Sequence, residues 1–406
     1  MPISAERIRA DIDAIARFTE SPGGADRPTF SNAWRQARDY VIEQAKRVGC
    51  KVRIDAAGNM HARPESVDWS TPVWLSGSHI DSVPRGGDYD GVVGIVTSLE
   101  MLRAAKEDGI AALPLELIIF AEEEGTTFGL GMLGSRAWVG DLSVEQLSSV
   151  HNAKGENYIE AGGPHNVRPS LLLEDAFDAR RYLGLVEVHI EQGPGMWNAG
   201  VPLAVVTAIA GRKQYKVKLK GVANHAGSTS MADRKDALAA AAVCILQLEG
   251  LANGIGEQTV ITVGRIECHP NAINVIPAHL EFTIDFRSPS QDVLTDGDAQ
   301  IRQRIEQVCS RRGIEHTIQP TEDAPAVQMN ADLCANLTRF AAKIAKESAT
   351  AVSGALHDAA ILAPHLPTAM LFVPSRDGIS HNPAEFSRVE DVALAAGVLL
   401  ELVVTR

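Results

Sequence analysis

Val73-Trp-Leu-Ser-Gly77, an apolar run with helical spacing over 91–106, and Leu115-Glu-Leu-Ile-Ile-Phe-Ala121 succeed one another and set the fold class. The outer two are short and rich in β-branched and aromatic residues, which reads as strands, and the middle one reads as a helix. Strand, helix, strand predicts parallel neighbours, because a parallel pair needs a crossover and a helix is the usual one. Working outward, helices near 5–18 and 31–49 and a strand over 183–190 extend the alternation. The expectation is an α/β fold with a mostly parallel sheet covered on both faces. Gly and Pro gather at 160–170, read here as a long loop.

From about Gly211 the pattern changes. Tyr215-Lys-Val-Lys-Leu-Lys220 alternates strictly, a strand with one wet face studded with lysine. A helix over 234–251, strands over 259–268 and 278–287, a helix over 292–312 and a strand over 315–319 follow. That β-α-β-β-α-β order is ferredoxin-like. Strand and helix patterns resume after about 326, with 368–373 as a sheet strand, so the expected domains are 1–210 with 327–406, and an inserted α+β domain over 211–326.

The 406 residues suit two domains, and 45% hydrophobic with 22% charged residues excludes a disordered chain, a collagen or a coiled-coil rod. A net charge of −13 repels phosphate backbones and anionic bilayers, so neither nucleic acid nor membrane is an expected partner. No stretch reaches the roughly 18 to 20 uninterrupted apolar residues of a spanning helix, and the charged start, MPISAERIRADIDAIARF, lacks an apolar signal core. Five scattered cysteines without a C-x-x-C pair fit reduced thiols, and the reading is a soluble cytoplasmic protein.

The chemistry gathers where strands end. His79-Ile-Asp81 leaves the first strand, and on a two-residue period Asp81 could hold one imidazole nitrogen while His79 offers the other to a metal. A loop-exposed His beside a capping Asp explains the pair equally well. Asp90 heads the helix after Arg85-Gly-Gly, where an N-cap is the plainer explanation. Glu122-Glu123-Glu124 emerge directly from a buried strand, and three like charges there need compensation by cations or protons. His189 and His381 also follow strands. A lone His is more often structural, but His79, Asp90, Glu124, His189 and His381 together fall on the rim where open α/β sheets bind ligands. Five N/O ligands without cysteine suit two divalent ions such as zinc, manganese, cobalt or nickel.

The set His79-x-Asp81, Asp90-Gly91, Glu123-Glu124, His189 and His381 resembles the two-metal hydrolases of the M20 peptidase family. Glu122-Glu-Glu-Gly125, His189-Ile-Glu-Gln-Gly-Pro194, His225-Ala-Gly227, Asn271-Ala-Ile-Asn-Val-Ile-Pro277, Asp285-Phe-Arg287 and Gly378-Ile-Ser-His381 are similar to its hydantoinase/carbamoylase branch. That branch holds N-carbamoyl-L-amino-acid hydrolases, allantoate and ureidoglycolate amidohydrolases and β-ureidopropionases. The resemblance spans about 73–386. It implies two divalent metal ions per subunit, one on His79, Asp90 and His189, the other on Asp90, Glu124 and His381, with Glu123 as general base and Asp81 in support. It implies that His225 stabilises the oxyanion, often across a homodimer, and that Gln192, Asn274 and Arg287 hold a small carboxylate substrate. The inserted domain becomes a lid and dimerisation domain hinged near 208–213 and 323–328, and a cis peptide is expected after Asp90.

The chain departs from the family where Thr126-Thr-Phe128 and the small Gly129-Leu-Gly-Met-Leu-Gly134 follow the acids, and where Leu356 replaces a usual Gly. Both stretches are expected at the substrate's side chain. The leading reading is cleavage of a carbamoyl or ureido C–N bond. A dipeptidase or N-acyl amino acid deacylase on the same site is the alternative, disfavoured by His189 where aminopeptidase-like relatives have a carboxylate. A non-catalytic binding homologue is disfavoured by the intact Glu123 and Asp81.

Overall fold

In the computed structural model, which describes residues 2–405, four parallel strands form the middle of a nine-stranded sheet. They run in the order Leu115–Phe120, Val73–His79, Tyr182–Ile190, Thr368–Val373. Leu115–Phe120 and Thr368–Val373 are buried at every position, as expected of strands covered on both faces. Antiparallel strands flank this centre: Cys50–Ile54 and Met60–Pro64 on one side, Ala204–Ile209 on the other. Val327–Gln328 and Ala349–Ser353 pair with Ala204–Ile209 to complete the nine, and the sequence reading missed all five of these outer strands. Met60–Pro64 carries His61 and Arg63 fully buried, which breaks the apolar signal of a core strand.

Helix Val92–Glu107 packs on Val73–His79 and Tyr182–Ile190. Its close approach depends on Gly94, where a Cβ would stand 2.6 Å from the Val188 carbonyl oxygen and 2.9 Å from Ser78 Cβ. The region 160–170, expected as loop, holds a short helix, Tyr158–Gly162, and 3₁₀ turns at Gly163–His165 and Pro169–Leu171. Asn157 caps that helix through a capping box, which a Gly/Pro count does not register.

Two compact units divide the chain. One comprises Met1–Thr207, Met329–Ala351 and His357–Arg406, the other Ala208–Gln328 and Val352–Leu356. The second unit therefore exceeds 211–326 by a few residues at each end and takes in a distant pentapeptide. Its antiparallel sheet places Gly211–Lys220 between Glu315–Ala324 and His279–Ser288. The strand expected over 259–268 is two, Val260–Thr262 and Ile266–His269, both paired to His279–Ser288. Gly264 lies in the break, where a residue without a side chain weakens the strand. Helices Ala237–Ile255 and Gln291–Arg312 complete a core of residues such as Val217, Leu248, Phe282, Phe286 and Ile301. By length and composition Ala237–Ile255 is apolar enough to cross a membrane, at a mean hydropathy of 1.6. The run is not uninterrupted, since Gln247, Glu249 and Asn253 break it, and Ala240, Cys244, Leu248 and Leu251 enter the unit's core.

Gly94→Ala tests the packing of Val92–Glu107. Alanine's helix propensity favours the variant by about 1 kcal/mol. Overpacking against Val188 and Ser78 costs about 1–3 kcal/mol and more where backbone must yield. A lower urea midpoint is expected, and a raised midpoint refutes the close approach.

Candidate metal centre

The strand ends and the loops that follow them bring His79, Asp81, Asp90, Glu122–Glu124, His189, Gln192 and His381 together within the first unit. His79 ends its strand and His189 lies one residue from the end of the next, both 1% exposed. His79 Nδ1 stands 3.0 Å from the Asp81 carbonyl oxygen and His189 Nδ1 3.0 Å from that of Ile190. A carbonyl only accepts, so both Nδ1 atoms donate and each neutral ring presents Nε2 as a lone pair. Those Nε2 atoms face one oxygen: Asp90 Oδ1 is 3.4 Å from His79 and 3.1 Å from His189. Asp90 Oδ2 is 3.4 Å from His381 Nε2, which lies 3.6 Å from Glu124 Oε2. His189 Nε2 is buried without a hydrogen-bond partner. With the rings neutral these acceptors converge with no proton between them, and a cation would stabilise the arrangement in place of ring protons; the donor set fits one.

In each of two groups that share Asp90, His79 with Asp90 and His189, and Asp90 with Glu124 and His381, the donor atoms lie within 4.8 Å of one another. A third group, Glu187, His189 and His357, meets the same distance. Both Glu187 oxygens there already accept, from Ser78 Oγ at 2.6 Å and the Ala359 N–H at 3.0 Å, which makes this carboxylate structural.

Several details differ from the sequence reading. Asp81 Oδ1 is 3.9 Å from His79 Nδ1, and it is the Asp81 backbone that holds the ring. Its carboxylate instead accepts the N–H groups of Glu123 and Glu124 at 3.4 and 3.1 Å, fixing the two acids. Asp90 does not cap the helix, whose N-cap is Gly91 with no side-chain cap bond. The Asp90–Gly91 peptide is trans; among the described residues the one cis bond precedes Pro270. The chain turns at Gly91 through φ 67, which glycine reaches without a Cβ clash.

Three consecutive acids take three places. Glu122 Oε1 accepts the N–H groups of Thr127 and Phe128 at 2.8 and 2.9 Å and so ties down the following loop. Glu123 Oε2 lies 3.8 Å from His79 Nε2, outside both Asp90-sharing groups, and Glu124 faces His381. Burial raises Glu123 well above the usual carboxylate range, and the charges of Glu124, Asp358 and Asp81 add to it against His79. Asp90 stays well below its ordinary value despite burial, because the His189, His381 and His79 imidazoles outweigh it. Glu122, Gln192 and His381 all hold positive φ, at 57°, 58° and 53°, a strain that side chains rarely accept and that clusters at functional sites.

Gln192 donates to Asp90 Oδ2 at 2.7 Å, and its Oε1 is buried without a partner. Ser380 and Glu385 also touch the centre and carried no role in the sequence reading. Ser380 Oγ lies 2.9 Å from Asp90 Oδ2 and 3.0 Å from Glu385 Oε2, while Glu385 Oε1 accepts the Tyr89 and Asp90 N–H groups at 2.9 and 3.0 Å. The available signal was an acid four residues after His381 in one loop.

His225, Asn274 and Arg287 belong to the second unit. The Asn274 carbonyl accepts the Ala226 N–H at 3.0 Å, so His225 and Asn274 share one loop cluster. His225 Nδ1 accepts the N–H groups of Gly227 and Ser228 at 3.0 and 3.2 Å, which places the ring proton on Nε2 as a donor. Arg287 lines a cleft of about 740 Å³ and is forked onto Asp285 at 2.8 and 3.0 Å, with Nη1 on the Gly354 carbonyl at 2.7 Å.

Residues 75–405 match the family described as Peptidase family M20/M25/M40. An N-carbamoyl-L-amino acid amidohydrolase of Geobacillus stearothermophilus is 36% identical, over 99% of this chain and 98% of that protein. An allantoate amidohydrolase of Escherichia coli K12 is 33% identical, over 96% and 94%. A solved amidase of the hydantoinase/carbamoylase family from Burkholderia multivorans superposes with a TM-score of 0.93 at 31% identity, covering 99% of this chain and 98% of its own.

The buried acids give a pH dependence of definite sign. Burial above all raises Glu122, Glu124 and Glu385 to about 7 from an ordinary 4.5, Asp81 adding to the first and Asp90 to the others. The folded chain then keeps protons that the unfolded chain releases, and stability falls as pH rises through that window. His381, raised to about 9 by its bond to Asp90 against burial, adds stability below 6.5 that is lost as pH rises through 9, in the same direction. Asp90 acts oppositely only below 3.8, and His357, lowered by burial and the neighbouring His189, acts oppositely below 6.5. Metal-stripped protein should lose about 5 °C or more of unfolding temperature between about pH 5 and 8 by scanning fluorimetry, and added divalent metal should flatten the fall. A rising profile in stripped protein contradicts this electrostatic account.

Proposed function

The chain belongs to peptidase family M20/M25/M40, and we propose that within it this protein is a metal-dependent amidohydrolase cleaving the carbamoyl or ureido C–N bond of a small carboxylate substrate. The observation that carries this reading is the pair of donor groups sharing Asp90, in a chain similar along its whole length to enzymes named for that chemistry. His189, where a carboxylate marks the peptide-cleaving relatives, favours it over a dipeptidase.

His79, Asp90 and His189 would hold one divalent ion, and Asp90, Glu124 and His381 a second. Bound there, such ions supply the charge that acidifies a water and polarises the scissile carbonyl. Glu123 takes the water's proton and returns it to the leaving nitrogen. Water adds across the bond: a C–O bond forms, the C–N bond breaks, and an N-carbamoyl amino acid yields the amino acid and carbamic acid, which falls to ammonia and carbon dioxide. Asp81 keeps the two acids aimed through their backbone N–H groups. His225 Nε2–H donates to the oxyanion. Gln192 and Asn274 position the substrate, and Arg287 takes its carboxylate as a planar fork, giving up part of its bond to Asp285. The protein acts as a homodimer through the inserted unit, where Leu238, Leu246, Val260 and Ile266 are exposed apolar residues. Five free cysteines favour the cytoplasm.

The test is stripped protein reloaded with manganese, zinc, cobalt or nickel and assayed for ammonia from N-carbamoyl amino acids, allantoate, ureidoglycolate and β-ureidopropionate, beside dipeptides and N-acyl amino acids. Ammonia from a ureido compound is expected; cleavage of dipeptides alone overturns the reading.

Glu123→Gln should keep its metal and lose about 10²-fold or more in kcat, because the amide cannot accept the proton. Glu124→Gln should lower bound metal, read by elemental analysis, and equal behaviour of the two variants refutes the division between adjacent acids. Mixing inactive His225→Ala with inactive Glu123→Gln under subunit exchange should restore part of the activity if His225 serves the partner's centre. No recovery from demonstrated heterodimers confines each site to one chain.

A further inference from the structure

The acid cluster owes its shape to a short ladder. The carbonyls of Ala121, Glu122 and Glu123 accept in turn the N–H groups of Gly134, Leu133 and Met132, at 2.8, 3.1 and 3.0 Å. Glu122 and Met132 hold φ of 57° and 58° on its two arms, conformations that non-glycine residues keep only where the surroundings over-determine them.

The side chain that bridges both arms is Asn59, fully buried. Its Oδ1 accepts the Ala121 N–H at 3.1 Å, and its Nδ2 donates to the Gly134 carbonyl at 3.0 Å and to Asp55 Oδ2 at 2.9 Å. Both amide donors and the acceptor are thus engaged, and a flipped amide would set oxygen against oxygen. Gly134 admits this contact: a Cβ there would stand 2.2 Å from Asn59 Oδ1. Asp55 cannot turn away, because Oδ1 accepts the N–H groups of Ala57 and Asn59 at 3.0 and 2.8 Å and Oδ2 stands 3.1 Å from His61 Nε2. His61 Nδ1 in turn lies 2.7 Å from Glu116 Oε1, and Arg63 Nε donates to Glu116 Oε2 at 2.6 Å. The anchor is a buried ionic network with charges of both signs, stiff because moving any member strands another.

We propose that Asn59 is a positioning residue for catalysis, the plug that holds Glu123 and Glu124 in working geometry by bridging the ladder behind them. It touches neither substrate nor reacting atoms. The inference rests on the ureidohydrolase reading for what the two acids do, but not for the bridge itself.

Asn59→Ala, loaded with cobalt, should lose about tenfold or more in kcat with KM changed by no more than about twofold, since a displaced base slows chemistry without loosening substrate. The visible absorption of the bound cobalt should shift, because Glu124 moves with its backbone. Adding Met132→Gly, which takes the left-handed conformation without strain, should recover part of the kcat. A residue with only a structural role would lower the urea midpoint while the folded variant kept the wild-type kcat and cobalt spectrum, and that result overturns the proposal. If Asn59→Ala does not fold, hydrogen exchange on wild-type protein decides: peptides covering 119–135 should exchange as slowly as those covering 73–79, and fast exchange there overturns the plug. Wild-type protein inactive on every ureido compound would refute the functional reading instead, leaving the cobalt spectrum and the exchange to judge Asn59.

Discussion

Asp90 sets the terms for the rest of the molecule. Its two oxygens face imidazole nitrogens from three separate segments, and two of those rings have their other nitrogen committed to a backbone carbonyl. Such a convergence is held together by positive charge at its centre, whether protons on the rings or a divalent ion. A proton serves one contact at a time, whereas an ion serves three or four, and at neutral pH it does so without titrating away. The strained backbone at Glu122, Gln192 and His381 is the conformational cost of that convergence.

A parallel sheet can meet this demand because its strands end on one rim. His79, the Glu122–Glu124 cluster, His189 and the loop to His381 leave four adjacent strands on that rim, so residues far apart in sequence arrive as neighbours. Gly94 lets helix Val92–Glu107 sit close against the sheet, and the positive end of its backbone dipole then lies beside the carboxylate at its head. Around the acids the backbone is held from three directions: the Glu123 and Glu124 N–H groups by Asp81, the carbonyls of 121–123 by Met132–Gly134, and the Ala121 N–H by Asn59.

Much of this was legible in the chain. Parallel strands show as unbroken apolar runs, and the candidate ligands show because polar groups directly after such runs have few structural excuses. The flanking strands were not legible, since Met60–Pro64 buries a histidine and an arginine whose partner, Glu116, comes from another strand. Asp81 was assigned the correct neighbourhood but the wrong contact: a two-residue period gives the direction of a side chain and cannot tell a carboxylate contact from a backbone one. The cis peptide came from resemblance alone, and Gly91 makes the turn without it. Ser380, Glu385 and Asn59 stayed silent because each acts on backbone or on another residue's carboxylate, and no spacing rule encodes such third-party contacts.

The second unit takes up the chain twice, through Ala208–Gln328 and again through Val352–Leu356. Within that unit the Ala210 N–H donates to the Ser353 carbonyl at 2.8 Å and Arg287 to that of Gly354 at 2.7 Å. Modular exchange among relatives therefore cannot proceed by one excision: a transplanted 208–328 segment would meet a foreign pentapeptide at Arg287. Recombination that shuffles this unit has to carry both segments, because a guanidinium in one leans on a backbone carbonyl 67 positions further along, in the other.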